Sequence, residues 1–143
     1  MKTKYNFTHT SYSIIDKNNK LVGKRVAKNK ISFQELLHSC DIGLSTVIVK
    51  KKIFENLKFP RLKTKEDYVL WLNISKKTQI IGMNEQLVNW RKLDNSLSSD
   101  SLQKVKDGFK VYNYYMKFNL FKSLYCLSLL SLNFIIKNYF KKN

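Results

Sequence analysis

Residues 63–77 read KTKEDYVLWLNISKK, and how this run folds decides the architecture. Thr64 followed by Asp67 has capping-box-like spacing, so a helix is expected to open here. Tyr68, Trp71, Leu72 and Ile74 recur at helical intervals and give that helix a face to bury. Downstream, residues 79–82 and 85–92 read as two short strands around Met83-Asn84. Upstream, residues 43–49 (GLSTVIV) are β-branched and apolar, which predicts a buried strand. Residues 50–57 then allow one or two helical turns, stopped by the lone Pro60.

The N-terminal stretch fits the same alternation. Residues 7–15 (FTHTSYSII) read as a strand, residues 16–20 (DKNNK) as a turn, and residues 21–26 as the returning arm of a hairpin. Ser32 and Glu35 form another capping-box pair, predicting a short helix over 33–38. Residues 94–101 are a Ser-rich loop with several potential N-caps. From Leu102 the character changes, with eight lysines against one acidic residue over 102–143. Two helices are predicted there, over 102–117 and 120–141, broken near Phe118-Asn119. The fold class is therefore α/β, with an α/β portion (1–101) followed by a basic, aromatic-rich helical tail (102–143).

With 143 residues, 43% of them hydrophobic, the chain can bury a real core, which excludes wholesale disorder. Its 27 Lys+Arg against 10 Asp+Glu give a formal charge of +17. Such an imbalance favours a polyanionic partner: nucleic acid, an anionic membrane surface or a phosphorylated ligand. Only Arg25, Arg61 and Arg91 are arginines, which argues against a dedicated reader of DNA bases. The same lysine-, asparagine- and isoleucine-rich composition also follows from an AT-rich coding sequence. Cys40 and Cys126 match no metal or redox spacing, and His9 and His38 are isolated, so no metal site is expected. Reduced thiols imply a cytoplasmic protein. Residues 1–12 lack the apolar core of a signal peptide. The uncharged stretch 123–136 falls short of the ~20 apolar residues of a spanning helix.

Four segments taken in order, FTHTSYSIIDKNNKLVGK (7–24), DIGLSTVIVKKKIFENLKFP (41–60), KTKEDYVLWLNISKK (63–77) and GMNEQLVNWRKLDNSLSS (82–99), resemble the C-terminal half of bacterial family 2 glycosyltransferases. These are inverting enzymes of the GT-A (nucleotide-diphospho-sugar transferase-like) fold that build capsules and other surface glycans. The resemblance implies a partial GT-A fold, its acceptor-side strands and helices followed by the helical tail. It implies that Asp67, within Glu66-Asp67-Tyr68 and Leu70-Trp71, is the general base that takes the proton from the attacking acceptor hydroxyl. A carboxylate in the first helical turn is expected to be held ionised by the helix dipole; its other role would be to cap the helix with Thr64. Ser45 and Thr46 match the stretch lining the acceptor side of the cleft, or else belong to a buried strand. Arg91 matches a region where a basic side chain approaches the donor diphosphate, or else makes a surface ion pair. Trp71 and Trp90 are candidates for stacking on sugar rings, with helical spacing placing Trp71 in the core first.

The sequence departs from the family in one respect. It contains no Asp-x-Asp, the motif with which the family's N-terminal half binds a divalent ion, Mg or Mn, beside the nucleotide. The chain is therefore expected to hold no cofactor itself and to be inactive alone. A fragment of a longer gene product, or one part of a split enzyme with a separate N-terminal half, would account for that. The implied partners are a nucleotide-sugar donor and a glycan or lipid-linked acceptor. In the tail, lysines interleave with Phe109, Tyr112, Tyr114, Tyr115, Phe118 and Phe121. That pattern suits peripheral docking on the inner face of an anionic membrane, or else a helix that closes the domain core with its lysines on the wet face. A non-catalytic module that binds membrane surfaces or, less favoured, single-stranded nucleic acid is the alternative.

Overall fold

A computed structural model describes residues 5–93 and 100–139. Strand β1 (Phe7–Ile15) turns through Asp16–Lys20 into β2 (Leu21–Arg25), with which it pairs antiparallel. The turn is an Asx turn: Asp16 Oδ1 accepts from the N–H groups of Asn18 (2.8 Å) and Lys20 (2.9 Å), and Asn19 takes a left-handed φ of 65°. The edge strand β3 (Lys30–Ile31) leads into α1 (Phe33–His38), opened by the full Ser32/Glu35 capping box. A 3-10 turn (Leu44–Thr46), β4 (Val47–Val49) and α2 (Lys51–Phe54) follow. After them come α3 (Glu66–Ser75) and the 12-residue β5 (Ile80–Arg91). The chain closes with α4 (Ser101–Lys110), a π turn (Val111–Tyr115) and α5 (Leu120–Tyr139).

The sheet runs β2-β1-β5-β3, with β4 pairing the first half of β1 on the edge that β2 takes in its second half. β1 and β5 are parallel, the arrangement that needs a crossover, and α3 lies on that crossover. Three sequence expectations change in detail. The run 43–49 is a strand only over its last three residues, because Leu44–Thr46 coil into a 3-10 turn. The two short strands around Met83-Asn84 are one strand, and β5 takes up its extra residues as bulges where Thr10, Ser11 and Tyr12 face Met83, Gln86 and Val88. Thr64 does not cap α3: the N-cap is Lys65, whose φ is 64°.

The core lies between the sheet and the helices. Trp71 on α3 meets Phe7 of β1 edge-on at 5.1 Å between ring centroids. Val111, Tyr112, Met116, Cys126 and Leu130 from beyond Leu102 are buried in the same cluster. Tyr68 (α3) donates its hydroxyl to Leu36 O, and Tyr112 (π turn) to Leu37 O, each at 2.6 Å. Those carbonyls belong to the end of α1, where helix geometry leaves them without partners. Glycine is required at one close approach, where a Cβ at Gly82 would fall 2.1 Å from the backbone Lys28 O. A Cβ at Gly108, where α4 meets α5, would fall 2.8 Å from Leu127 Cδ1 and would need that side chain to move.

His9 is buried at the centre of β1, and neither ring nitrogen finds a hydrogen-bond partner among the described residues. Burial lowers its pKa below 6.5, against smaller opposing effects of Thr10 and Asp41. The unfolded chain therefore takes up this proton first, so the stability held by neutral His9 is complete above about pH 6.5 and falls as pH drops through and below that value. Urea denaturation of the wild type is expected to show stability declining from pH 7 to pH 5. In His9→Leu that decline should flatten; an unchanged slope would mean other groups carry it.

Candidate active site

The end of α3 that carries Glu66 and Asp67 is set by a contact from the tail. Asp107 of α4, 1% exposed, accepts from the backbone N–H (2.9 Å) and the hydroxyl (3.0 Å) of Thr64. Burial alone would raise the Asp107 pKa, but hydrogen bonds from Gln103 and Thr64 outweigh it, and the carboxyl sits below its usual range. With Thr64 pinned, Lys65 is held in the left-handed region, costly for a residue with a side chain. Its stem runs beside Gly108, and its ammonium stands 5.8 Å from the centre of the Tyr68 ring. Burial lowers the Lys65 pKa.

Asp67 is half-buried and turns its carboxylate back on its own helix, Oδ1 accepting from the Tyr68 N–H at 2.8 Å. This is not the expected cap with Thr64: Asp67 lies inside the first turn, after the N-cap Lys65, which makes no side-chain capping bond. Burial is the largest influence on its pKa, the neighbouring Glu66 acts in the same direction, and the Tyr68 N–H and Lys65 only partly oppose them. The pKa is raised. The helix-dipole expectation of a carboxylate held low therefore gives way to desolvation. A raised pKa makes Asp67 a stronger proton acceptor than an exposed carboxylate, the property a general base needs.

Other polar groups gather on the same side. Tyr12 of β1, whose pKa burial pushes up to about 12, feels the charges of Arg25, Asp41, Cys40 and Asp67. The Cys40 thiol is raised to about 12, by desolvation first and then by Asp67. Arg25 Nε lies 3.5 Å from Asp41 Oδ1. The Tyr12 ring also closes over Gly43, where a Cβ would meet Cε1 at 3.3 Å. Tyr12, Arg25, Cys40, Asp41 and Lys65 carry no motif of their own. For Tyr12 the one legible signal is its position in the middle of an alternating strand.

The remaining sequence-selected residues divide. Ser45 is exposed on the 3-10 turn, with its hydroxyl open to solvent. Thr46 is buried, and its hydroxyl donates to Gly43 O at 2.7 Å. Trp71 is 1% exposed and offers no ring face to a sugar. Trp90 is exposed on β5 opposite Ile14, and Arg91 opposite Ile15. The Arg91 guanidinium clamps the β1–β2 turn, donating to Asp16 O (3.0 Å), Lys17 O (3.4 Å) and Asn19 Oδ1 (2.7 Å). Among the described residues it makes no ion pair. Its partner in register lies three residues beyond Tyr12, roughly 10 Å along β1, so Arg91 and Trp90 stand apart from the Asp67 cluster. Asp94, too far from Asp100 and in the wrong order to replace an Asp-x-Asp, lies outside the described residues. No group of three or more His, Cys, Asp or Glu side chains converges among the described residues. A cavity of about 440 Å³ opens elsewhere, lined by Asn6, Lys50, Lys52, Ile53, Asn56 and Lys77, and holds none of these residues.

No protein-family model matches the chain. It is 33% identical over 130 residues to the UDP-Glc:alpha-D-GlcNAc-diphosphoundecaprenol beta-1,3-glucosyltransferase WfgD of Escherichia coli, covering 90% of this chain and 51% of that protein. It is 27% identical over 122 residues to the putative teichuronic acid biosynthesis glycosyltransferase TuaG of Bacillus subtilis, covering 84% and 48%. With WfaP of Escherichia coli, named for the same glucosyl transfer as WfgD, it shares 36% over 83 residues, covering 58% and 32%. The chain thus spans about half the length of the first two of these curated relatives, and the likeness is to part of a glycosyltransferase.

The two carboxylates at this helix end make opposite predictions. Asp107→Asn should lower stability by about 1–3 kcal/mol, since it removes a charge that buried donors satisfy. Asp67→Asn keeps the acceptor for the Tyr68 N–H and relieves a desolvated charge, so its melting temperature at pH 7 should match or exceed the wild type. A clear loss in Asp67→Asn would assign the Asp67 charge to the fold rather than to chemistry.

Proposed function

We propose that this chain is the acceptor-side, base-bearing portion of an inverting family 2 glycosyltransferase of the GT-A fold. In this reading the whole enzyme acts from the cytoplasmic side and moves a hexose from a nucleotide-sugar to a lipid-diphosphate-linked glycan acceptor in cell-surface polysaccharide synthesis. The observation that carries it is a desolvated carboxylate, Asp67, at the head of a helix within electrostatic reach of Tyr12, Cys40 and Lys65. The similarity to enzymes named for transfer to a diphosphoundecaprenol-linked sugar supports the acceptor class.

The chemistry assigned to Asp67 is a single proton transfer. As the acceptor hydroxyl oxygen attacks the anomeric carbon, Asp67 accepts the hydroxyl proton, and the bond from the anomeric carbon to the diphosphate breaks with its electron pair leaving on the diphosphate. Glu66, next in sequence, helps keep the Asp67 pKa high. Lys65 offsets part of the negative charge at the site before the proton arrives. Ser45 supplies an open hydroxyl for the acceptor sugar, and Tyr12 a ring and hydroxyl on the cleft floor. Thr46 and Trp71 act behind the site, in the turn and the core. Trp90 is assigned a stacking face only if the sugar reaches the far end of β5. Arg91 serves the hairpin turn. The divalent ion used by the family would neutralise the leaving diphosphate; the described residues do not gather a site for it, and this reading places it with the donor-binding portion.

Two measurements test the reading. Purified chain given radiolabelled UDP-glucose and a short-chain GlcNAc-diphospholipid should form no product, yet should bind the acceptor saturably by NMR, with shifts centred on Tyr12, Ser45 and Asp67. In a protein joining this chain to a donor-binding half, Asp67→Asn should lower kcat by about 10²–10⁴-fold and Tyr12→Ala should raise the acceptor KM. No acceptor binding by the chain, together with full activity of the joined Asp67→Asn protein, would refute the assignment.

A further inference from the structure

Helix α5 has two faces of opposite character. Inward, Ser123, Cys126 and Leu130 are buried. Asn133 Nδ2 donates to His38 O at 3.0 Å, and the Lys137 ammonium bonds the Ser39 hydroxyl and the Asp41 carboxylate. Outward, Phe121, Tyr125, Leu132 and Ile135 fall within an arc of roughly 80° at 100° per residue, flanked by Leu124 and Ile136. Every one of these is exposed, from 41% for Ile136 to 83% for Phe121. The His38 ring meets the Tyr125 ring edge-on at 6.2 Å between centroids, and the rest of the stripe lies open among the described residues.

Charge selects what does. After Asp107 the sequence has no further Asp or Glu, while Lys110, Lys117, Lys122, Lys137, Lys141 and Lys142 are spread along it. Lys117 and Lys122 are exposed at the start of α5. A second copy of the chain would bring a formal +17 against +17, which opposes self-association on this face. An anionic lipid leaflet answers both features, offering phosphates to the lysines and acyl chains to the stripe. The segment 120–137 has a mean hydropathy of 1.4, long and apolar enough to cross a membrane by length and composition. Its inward polar bonds to His38, Ser39 and Asp41 nonetheless tie its second half to the α/β body, which fits a helix lying along a surface.

We propose that α5 docks this protein flat on an anionic bilayer, with Phe121, Tyr125, Leu132 and Ile135 in the acyl boundary and Lys117 and Lys122 at the headgroup phosphates. This stands independently of the transfer reading and would survive its failure. The test is co-sedimentation of the full chain with vesicles of phosphatidylcholine alone or mixed with phosphatidylglycerol. Binding is expected only to the mixed vesicles and should weaken with salt. Lys117→Glu and Lys122→Glu should each reduce partitioning at least about fivefold. Combined Phe121→Gln, Leu132→Gln and Ile135→Gln should reduce it roughly a hundredfold. As a readout that does not depend on those variants folding, a Trp introduced by Tyr125→Trp should be quenched by brominated lipid in mixed vesicles. Equal binding to pure phosphatidylcholine, no effect of the triple variant, or no quenching would overturn the proposal. So would a dimer that the triple variant dissolves, which would make a second copy the occupant, or protein that alkaline carbonate cannot strip from membranes, which would mean that α5 spans.

Discussion

Two tyrosine hydroxyls hold the arrangement on which the rest depends. Helix α1 is six residues long, too short to be stable alone, and its final carbonyls need donors wherever it packs. Tyr68 and Tyr112 supply them, one from α3 and one from the π turn, with their own oxygens 3.0 Å apart. Three segments distant in sequence thereby become one unit. The residue before Tyr68 is Asp67, and the loop that leaves α1 carries Cys40 and Asp41, so the same hydroxyls set both sides of the polar cluster. The π turn has a physical role here. Widening the helix by one residue per turn lets Tyr112 reach Leu37 while Lys117, at φ 58°, ends the segment and redirects the chain into α5.

The parts of this fold legible in the sequence are those governed by neighbours in the chain. Strand β1, its Asx turn, the Ser32/Glu35 helix and the break before α5 depend on alternation, a carboxylate two residues from an amide, or a cap three residues away. All four occur where such rules place them. The misreadings lie where a distant partner intervenes. Thr64 has the right spacing to cap α3, but Asp107, 43 residues on, binds its N–H and hydroxyl, and the N-cap falls one residue later, at Lys65. The run 43–49 is β-branched enough for a full strand, yet Gly43 lies under the Tyr12 ring and the chain coils before it can pair. Arg91 fits a surface ion pair, yet among the described residues its guanidinium meets three neutral acceptors of the turn instead. No local pattern encodes a partner 31 to 75 residues away. For the same reason nothing local in the sequence sets Tyr12, Arg25 and Asp41 near one another.

Asp67 shows how two electrostatic effects compete at one helix end. The dipole of a helix favours a carboxylate at its start by typically 0.3–1 kcal/mol at an exposed site. Removing that carboxylate from water costs more, and Glu66 adds repulsion, so the balance moves toward protonation. Asp107, buried more deeply by exposure, moves the other way because hydrogen bonds aimed at its charge outweigh the burial. The contrast separates a carboxylate whose charge the fold meets with hydrogen bonds from one whose charge burial leaves less well met. The first fixes the backbone on which the second sits.

The position of Lys137 then links the two ends of the molecule. Its ammonium bonds Asp41, Asp41 faces Arg25, and both Asp41 and Arg25 act on Tyr12, which also feels Asp67. Ion pairs thus run from the inner face of α5 through Asp41 to Arg25 on β2, within electrostatic reach of Tyr12. With Asn133 also tied to His38, the helix cannot turn about its axis without breaking those bonds, so its outward stripe and the polar cluster keep a fixed mutual orientation. If a lipid surface meets that stripe, the cluster is held at a set height and angle above it. An acceptor whose sugar hangs from a membrane-embedded diphospholipid would need such an offset. The constraint also explains why a charged lysine is retained on the inner side of an otherwise apolar helix: there it sets direction, as the exposed lysines near the start of α5 set attraction.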